Sequence, residues 1–597
     1  MVVFLKKINY LLSSTQKKKL IFLFFLALVG VVFETLGIGL VIPMFKIITD
    51  PSILDKYPIL SFLTDLSPFN WFLGESHDMS VQGQLITGAI IMVIIVYSLK
   101  ACFLIFLSWK QNTFVTNLGI HWSEKLFSGY LHLPYSFYLQ KNSALLIRNV
   151  NQAFILAATV ELTLTLITEI LVIFGITSLL IITEPLGAIV VIVIFLLSGF
   201  YFQKFTKKYL TSWGEKRHFY DGQRIKHMQQ GFGGAKDLKL LGREKNFSGQ
   251  FLKHNSASAI VSRNQRILKT VPRLWLEIMV VVSLSFLLFL MLINNQTINN
   301  VIPTLGLFAA ASFRLMPSVN KILANIQSLS YEMPSVNNVY KELTETTAQN
   351  VTINKKNEKI NFNKFIKLEN VNYTYQGSHK SVLNEININI PHGCQAGFVG
   401  ESGSGKSTLI DIILGLLSPS NGSVKVDDVD IQKNLRSWQS QIGYVPQEIF
   451  LTDDTLRNNI AFAISRDKIL DKSMDEAIAA ANLSEFVESL PDGLNTMVGE
   501  RGVRLSGGQR QRIGIARALY HKPDMLVLDE ATSALDTETE QEVMQAVRVL
   551  KGKKTIIIVA HRMSTIKDCD RLYELDNGRL VQEDTSKKYF LVSDKIN

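Results

Sequence analysis

Long apolar stretches alternate with polar segments through the first half of the chain. Six of these stretches are long enough to cross about 30 Å of hydrocarbon as a helix, although residues 186–202 are near the minimum length. The alternative, buried helices of a soluble core, does not explain several runs of this length. We therefore predict an α-helical six-span transmembrane domain within residues 1–335. The six stretches cover residues 20–48, 84–108, 155–183, 186–202, 272–293 and 301–325.

The polar segments differ in charge, and this difference predicts their side of the membrane. Residues 203–270 hold 15 Lys and Arg against four acids, whereas residues 49–83 hold one Lys against five acids. Residues 294–302 carry no charge. The positive-inside rule therefore predicts that both termini and the long loops are cytoplasmic. The net charge of +11 then reflects membrane topology and contact with anionic lipid rather than nucleic-acid binding.

Two cytoplasmic segments, residues 109–154 and 203–271, are too long for simple turns. We predict that the spanning helices continue through them and that each carries a short cross-helix touching the second domain. The cross-helices are expected at residues 133–142 and 231–243, the alternative being ordinary solvated basic loops. The polar residues 336–360 are predicted to be a linker, and residues 361–597 to form the second domain.

A strand, a glycine-rich turn and a helix follow one another from GCQAGFVG to STLIDIILGLL. The glycines allow a tight turn that aims backbone N–H groups at phosphate oxygens, and the helix that begins there adds its positive end. Lys406 should reach the β- and γ-phosphates, and the Ser407 hydroxyl should bind Mg²⁺. The residues predicted to bind phosphate are Gly400, Ser402, Gly403, Ser404, Gly405, Lys406, Ser407 and Thr408.

The apolar run PDMLVLDE ends in two carboxylates. Such a run fits a strand buried in a parallel sheet, with Asp529 at the end where ligands bind in open α/β sheets. Asp529 would hold Mg²⁺ through water, and Glu530 suits a general base that polarises the attacking water. The alternative is a pair of solvated loop acids. With the phosphate loop, this run predicts an α/β P-loop domain that binds ATP and Mg²⁺.

The segment LSGGQ precedes an arginine-rich amphipathic helix. Ser506, Gly507 and Gly508 would present a second helix N-terminus, which is again an anion site. One ATP does not need two such sites from one chain. The segment therefore predicts two domains arranged head to tail, each closing its LSGGQ over the γ-phosphate of the other.

These motifs, in this order, resemble the ABC transporter ATPases over roughly residues 361–590. The resemblance implies that Tyr375 stacks on adenine, that Gln447 contacts Mg²⁺ and the attacking water, and that His561 is the γ-phosphate switch. It implies that residues 533–536 signal across the dimer and that residues 498–502 lie near the coupling helices. The implied catalytic residues are Glu530, His561 and Gln447, the metal ligands Ser407, Gln447 and Asp529, and the signature residues Ser506, Gly507, Gly508 and Gln509.

Six spans followed by one ATPase domain resemble the half-transporter layout of ABC exporters. The resemblance implies an ATP-hydrolysing translocase that works as an obligate homodimer with two shared ATP sites. The alternative is an ABC-type channel or regulator that uses ATP only for gating. The complete set of motifs disfavours this alternative.

The sequence features that indicate the transported substrate are less specific than the ATPase motifs. The segment GFGGAKDLKLLGRE and a predicted external surface helix at residues 57–72 are similar to bacterial lipid-linked oligosaccharide flippases of protein N-glycosylation. This similarity implies that a polyprenyl-diphosphate-linked oligosaccharide is moved from the cytoplasmic to the outer leaflet of a bacterial inner membrane. The alternative is an ABC exporter of another amphiphile, such as lipid A, a drug or a peptide.

Charged residues within the predicted spans bear on the cargo, because such charges usually face a cavity or a partner. Lys100 and Arg314 are candidates for contact with a phosphate-bearing substrate. The alternative is that they pair with span glutamates or extend to the membrane surface. The charged span residues are Glu34, Lys100, Glu161, Glu169, Glu277 and Arg314.

Overall fold

The computed structural model describes residues 2–39, 81–183, 185–293, 298–351, 360–531, 537–560 and 562–584. The chain divides into two compact units. The helical unit comprises Met1–Leu133 and Gln140–Ile353, and the α/β unit comprises Pro134–Leu139 and Asn354–Asn597. The predicted surface helix at residues 57–72, the residues 533–536 and His561 lie outside the described residues.

The first part of the chain is helical, as the apolar stretches predict. Its described helices are α1 (Val2–Leu11), α2 (Ser14–Gly39), α3 (Val81–Leu131), α4 (Tyr135–Gln140), α5 (Ser143–Thr183), α6 (Pro185–Gly233), α7 (Ala235–Leu241), α8 (Glu244–Ile293) and α9 (Ile298–Val351). Four of them, α2, α3, α5 and α8, are long and apolar enough to cross a membrane by length and composition. The predicted spans 186–202 and 301–325 lie in α6 and α9, so the count of six stays a prediction.

The long helices extend well beyond the predicted spans. The 51 residues of α3 correspond to about 75 Å at 1.5 Å per residue, more than twice the hydrocarbon thickness. Helices α3 and α5 occupy most of residues 109–154, and α6, α7 and α8 occupy most of residues 203–271. That these segments extend into the cytoplasm stays a prediction. Short helices also occur where the cross-helices were expected, since α4 falls within residues 133–142 and α7 within residues 231–243. Gly242, at φ 60°, ends α7 in the left-handed conformation.

The segment predicted to be a linker begins as a helix instead. The last helix of this unit, α9, continues to Val351, so residues 336–351 are helical. Val336, Val339 and Leu343 are buried, and their spacing of three and four residues forms one apolar stripe on an otherwise polar segment. Composition alone suggested a linker because this stripe is narrow. The domain boundaries at residues 335 and 360 remain predictions.

The α/β unit contains two sheets. Its strands are β1 (Phe365–Tyr373), β2 (Leu383–Pro391), β3 (Gln395–Val399), β4 (Asn421–Val426), β5 (Val429–Asp430), β6 (Ile442–Val445), β7 (Met525–Asp529), β8 (Thr555–Val559), β9 (Arg571–Asp576) and β10 (Arg579–Asp584). An antiparallel sheet has the order β2-β1-β4-β5, and a six-stranded sheet has the order β10-β9-β3-β8-β7-β6. Within the larger sheet only the β9–β10 pair is antiparallel.

The helices of the α/β unit are mostly short. They are α10 (Lys406–Ile413), α11 (Leu435–Gln439), α12 (Leu456–Ile460), α13 (Asp471–Ala480), α14 (Ser484–Ser489), α15 (Gly507–Tyr520), α16 (Thr537–Arg548) and α17 (Met563–Ile566). Strands β3 and β8 are buried along their whole length, and β7 is buried up to Asp529. Strands covered on both faces read as continuous apolar runs, which explains the sequences QAGFV, MLVLD and TIIIV.

The larger sheet positions the functional residues. Strand β8 lies between β3 and β7, and all three are parallel. The turn after β3 and the acids at the end of β7 therefore emerge at the same edge of the sheet, two strands apart. The predicted α/β P-loop fold is confirmed.

Candidate nucleotide-binding site

The turn between β3 and α10 requires glycine at defined positions. Gly400, Gly403 and Gly405 have φ values of 142°, 86° and 104°, which residues other than glycine rarely adopt. A Cβ atom on Gly400 would lie 2.1 Å from the carbonyl oxygen of Leu575. One on Gly405 would lie 2.8 Å from the Leu383 side chain. The turn therefore adopts its form partly because strands β2 and β9 pack closely against it.

Lys406 is held across this turn. Its side chain is 5% exposed, and Nζ donates to the carbonyl oxygens of Gly400 and Glu401, both at 2.8 Å. Burial lowers the pKa of Lys406, while the charges of Glu530 and Asp529 raise it. Inside the same turn the Ser404 hydroxyl is buried and has no partner among the described residues. A buried ammonium and an unsatisfied hydroxyl beside exposed N–H groups fit a phosphate chain.

Asp529 ends β7, as predicted, and the hydroxyl of Tyr444 on β6 donates to its Oδ2 at 3.2 Å. Burial raises the pKa of Asp529, the hydrogen bond from Tyr444 lowers it, and the charge of Glu530 raises it again. Ser407 lines the neighbouring cavity through its exposed side chain. A hydroxyl, a carboxylate and an amide oxygen are the ligand types that Mg²⁺ prefers, so Ser407, Asp529 and Gln447 fit the implied metal.

Glu530 stands one residue beyond the strand in a left-handed backbone conformation, φ 48°. Its N–H donates to the carbonyl of Val559 at 3.0 Å, which ties the residue to the neighbouring strand β8. Gln447 Nε2 donates to Glu530 Oε2 at 2.8 Å. Strained backbone of this kind persists only where its surroundings fix it, and it is frequent at active sites. The backbone and the Gln447 side chain together fix the orientation of the Glu530 carboxylate.

One cavity of about 250 Å³ collects most of the predicted phosphate residues. Its lining comprises Val382, Ser402, Gly403, Gly405, Lys406, Ser407, Thr408 and Glu530. Tyr375 is outside this lining but shares a hydrogen bond of 3.0 Å between its hydroxyl and Thr408 Oγ1. Among the described residues, no part of the LSGGQ segment lines the cavity.

The LSGGQ segment begins α15 with a capping box. The Ser506 hydroxyl accepts from the N–H of Gln509 at 3.2 Å, and Gln509 Oε1 accepts from the N–H of Ser506 at 2.9 Å. Ser506 is exposed, and Gly508 is buried. Gln511, one turn along α15, donates through Nε2 to the carbonyl of Gln447 at 3.1 Å. Glu530, Gln447 and the signature helix are therefore linked by consecutive hydrogen bonds.

Three functional candidates were missed by the sequence reasoning. Val382 lines the cavity, Tyr444 holds Asp529, and Asp411 is an acid near Asp529. Burial raises the pKa of Asp411 to about 6, and the charge of Asp529 adds to the shift. Of the three, only Asp411 leaves a trace in the sequence, as a lone charge in the apolar helix segment TLIDIIL.

Comparison with known proteins places these features in a family. The ABC transporter family model matches residues 383–533. The chain is 29% identical to the ATP-dependent lipid A-core flippase of Shewanella oneidensis, over 86% of each chain. It is 31% identical to the flippase of the same name from Alkalilimnicola ehrlichii, over 81% of this chain and 83% of the relative. A bacterial Atm1-family ABC exporter with ATP bound has the same fold, with TM-score 0.78, 20% identity and coverage of 97% and 98%.

Replacing Glu530 by Gln should lower the ATP turnover rate by about 10²- to 10⁴-fold, because the amide cannot accept a proton from the attacking water. ATP binding should persist, since Lys406 and the phosphate loop are unchanged. Steady-state hydrolysis and equilibrium nucleotide binding measure the two effects. Glu448→Gln, an exposed acid beside Gln447, is the matched control and should keep wild-type turnover. Undiminished hydrolysis in Glu530→Gln would remove Glu530 from this role.

Replacing Asp411 by Asn should stabilise the nucleotide-free protein at pH 7.5 but not at pH 4. Because the pKa of Asp411 is raised in the folded state, this state favours the protonated acid. The stabilisation from the protonated acid is complete below about pH 4 and is lost as the pH rises through about 6, where the charged form destabilises the fold. The carboxyl is partly exposed, so solvent screening reduces the expected gain to about 1 kcal/mol. Thermal unfolding at the two pH values measures it, and an equal gain at both would contradict the assignment.

Proposed function

The chain belongs to the ABC transporter family, as an exporter-type half-transporter whose ATPase domain hydrolyses ATP, and on this premise we propose that it flips a phosphate-bearing glycolipid of the lipid A type. The observation that carries this choice of cargo is the extent of the likeness to lipid A-core flippases. An alignment of 532 residues includes the membrane half as well as the ATPase half. The multi-pass chain is assigned to a bacterial inner membrane, with its ATPase domain and both termini in the cytoplasm.

The nucleotide site supplies the energy in this proposal. Lys406 would contact the β- and γ-phosphates in place of its two loop carbonyls, and Ser407, Asp529 and Gln447 would hold Mg²⁺, which would offset the phosphate charge. Glu530 polarises the attacking water, and its hydrogen bond from Gln447 orients the carboxylate. Tyr375 contacts the adenine side, and His561 is assigned to the γ-phosphate by the family motif alone.

A second copy of the chain completes each site. The cavity around Lys406 and Glu530 takes none of its described lining from the LSGGQ segment. The exposed, capped N-terminus of α15 is nevertheless an anion site. Both facts are satisfied if Ser506 of one copy faces the phosphate loop of the other, which makes the active particle a homodimer with two ATP sites.

Mixing two inactive chains tests this arrangement. Coexpression of Lys406→Ala chains with Ser506→Arg chains should restore about a quarter of wild-type ATPase activity, because half of random dimers are mixed and each mixed dimer keeps one intact site of two. Each variant alone should be inactive.

The control places both substitutions on one chain and coexpresses it with wild-type chain. Mixed dimers of that pair should contribute no activity, because each of their two sites is broken. Activity from these dimers, without recovery in the first mixture, would show that each site is made within one chain.

The ion pairs in the helical unit indicate which cations could contact the cargo. Lys100, one sequence candidate, pairs with Glu34 at 2.8 Å, and both are largely buried. The side chain of Arg314, the other candidate, lies outside the described part of the chain. Glu277 pairs with Arg273 one turn away at 3.2 Å. The sequence alternative of pairing with span glutamates therefore applies to Lys100, which leaves it little charge for a ligand.

Lys321 is a better candidate than Lys100 for contact with a phosphate of the cargo. Its Nζ donates to Glu169 Oε1 at 2.7 Å, but the lysine side chain is 55% exposed and the glutamate 7%. Lys321 lies within the predicted span 301–325 on α9. A half-exposed ammonium there cannot face hydrocarbon without a large penalty. Lys321 lies four residues from the end of the predicted span, so the alternatives are extension to the membrane surface and exposure to a water-filled path, and we assign it to the path. A lipid phosphate would meet this ammonium, as the lipid A type of cargo requires.

The relatives favour lipid A, the alternative in the sequence analysis, over a polyprenyl-diphosphate oligosaccharide. Both lipids carry phosphate, so Lys321 does not separate them. Reconstitution in liposomes, with ATP-dependent translocation scored for labelled lipid A and for labelled polyprenyl-diphosphate oligosaccharide, makes the distinction. Faster flipping of lipid A is expected, and flipping of only the oligosaccharide would overturn the proposed cargo.

In the same liposomes, Lys321→Gln should lower lipid A flipping about tenfold through loss of a charge-assisted hydrogen bond. The double variant Lys321→Gln/Glu169→Gln removes both charges and should remain defective. Recovery in the double variant would mean that Lys321 only neutralises Glu169. Lys341→Ala, about 30 Å further along the same helix, is the control and should flip at the wild-type rate.

A further inference from the structure

A cavity of about 260 Å³ lies between the beginning of α5 and the middle of α6, away from the nucleotide site. Its lining includes Asn142, Arg148, His218, Gly222 and Lys226. All of these belong to the helical unit, and none has a role in the transport reaction described above.

Arg148 is a buried cation whose hydrogen bonds are incomplete. Its side chain is 9% exposed. Nη1 donates to the carbonyl of His218 at 3.3 Å and Nη2 to Asn149 Oδ1 at 3.2 Å, while Nε has no partner among the described residues. The described part of the chain also gives Arg148 no ion pair. A buried guanidinium normally has a carboxylate or phosphate partner, because burying it alone is costly.

The nearby carboxylates are engaged elsewhere. Asp221 accepts from the Ser258 hydroxyl at 2.7 Å and pairs with Arg217 at 3.4 Å and Arg224 at 3.7 Å. Glu342 accepts from the Tyr130 hydroxyl at 3.0 Å. Burial lowers the pKa of Arg148 and the charges of both acids still raise it, but neither acid lines the cavity, whose described lining contains Arg148 and Lys226 and no acid.

Two further groups add positive potential to the cavity. Lys226 lies one turn after Gly222 on α6, and within the described ranges its ammonium forms no ion pair. Helix α5, with 41 residues, begins at Ser143. Asn142 Oδ1 accepts the N–H of Ala144 at 2.9 Å, so the positive end of this long helix opens on the cavity.

Gly222 keeps the guanidinium accessible. A Cβ atom at this position would lie 2.7 Å from Arg148 Nη1. Any larger residue would therefore displace Arg148 or occupy the space in front of it. Burial and the charge of Arg148 lower the pKa of His218 to about 4, so this ring is neutral and can donate or accept a hydrogen bond without adding charge.

We propose that this cavity binds the phosphate group of a soluble ligand, held by Arg148, Lys226 and the beginning of α5. A phosphate offers several acceptors to the guanidinium and the ammonium, and the positive end of α5 favours its negative charge. Arg148 lies seven residues before the predicted span 155–183, and His218 lies 16 residues beyond the predicted span 186–202. At 1.5 Å per residue these separations are about 10 Å and about 24 Å, and both exceed the thickness of the headgroup layer, about 5–8 Å. We therefore assign the ligand to solution rather than to the membrane.

Calorimetric titration of inorganic phosphate into the full-length protein tests the proposal. The protein is placed in phosphatidylcholine nanodiscs and saturated with Mg²⁺ and ADP, so that the nucleotide sites are occupied. Wild type should bind phosphate, and Lys226→Gln should bind about tenfold more weakly through loss of one charge-assisted contact. Gly222→Ala, which fills space in front of Arg148, should weaken binding without removing a charge.

The matched control is Lys253→Gln, which removes an exposed lysine on α8 outside the cavity and should bind phosphate as the wild type does. Thermal unfolding without phosphate checks that each variant is folded. Absence of binding, or equal affinity in wild type, Lys226→Gln and Gly222→Ala, would overturn the site. A second set of nanodiscs contains phosphatidylglycerol. Stabilisation by that lipid, lost in Lys226→Gln and without a response to free phosphate, would overturn the assignment to a soluble ligand.

Discussion

The ammonium of Lys406 and the carboxylates of Asp529 and Glu530 are held at one edge of a buried sheet, and the nucleotide chemistry depends on their electrostatic balance. Burial makes the charges of Lys406 and Asp529 unfavourable alone, as the lowered pKa of Lys406 and the raised pKa of Asp529 indicate. In the nucleotide-free chain the ammonium is satisfied by two loop carbonyls. A phosphate chain with Mg²⁺ would place negative charge beside Lys406 and positive charge beside Asp529, and would therefore favour the charged form of both.

This balance extends to the signature helix through hydrogen bonds. Gln447 donates its amide to Glu530 and accepts at its carbonyl from Gln511, which is buried in α15. On the same helix, Arg517 donates to the carbonyls of Phe450 and Asn459, both at 2.8 Å. The segment after Gln447 is thus fastened to α15 at both ends. These hydrogen bonds couple the position of the Gln447 amide to that of α15.

The parts of the site that sequence predicted are those built from adjacent residues. The phosphate loop, the acids after β7 and the capping box of Ser506 and Gln509 are local, because backbone conformation and spacing decide them. Tyr444 and Gln511 reach the site from separate elements, whereas Asp411 lies on α10 with Lys406. Their contacts depend on strand order and helix packing. The helical start of the predicted linker was missed because three buried apolar side chains, Val336, Val339 and Leu343, scarcely alter the composition of this segment. Pairing of Lys100 with Glu34 likewise joins two helices that no local pattern connects.

The two ion pairs Lys100–Glu34 and Lys321–Glu169 of the helical unit differ in exposure, and this difference matters more for binding a ligand than the number of charges does. Lys100 and Glu34 bury each other, so their net charge is zero and their effect on a ligand is small. Lys321 and Glu169 are asymmetric, with the acid buried and the cation half exposed. The acid lowers the penalty of placing an ammonium at membrane depth while leaving its donors partly open. The ammonium of Lys321 therefore remains open to a further hydrogen-bond acceptor, whereas Lys100 is buried with its partner.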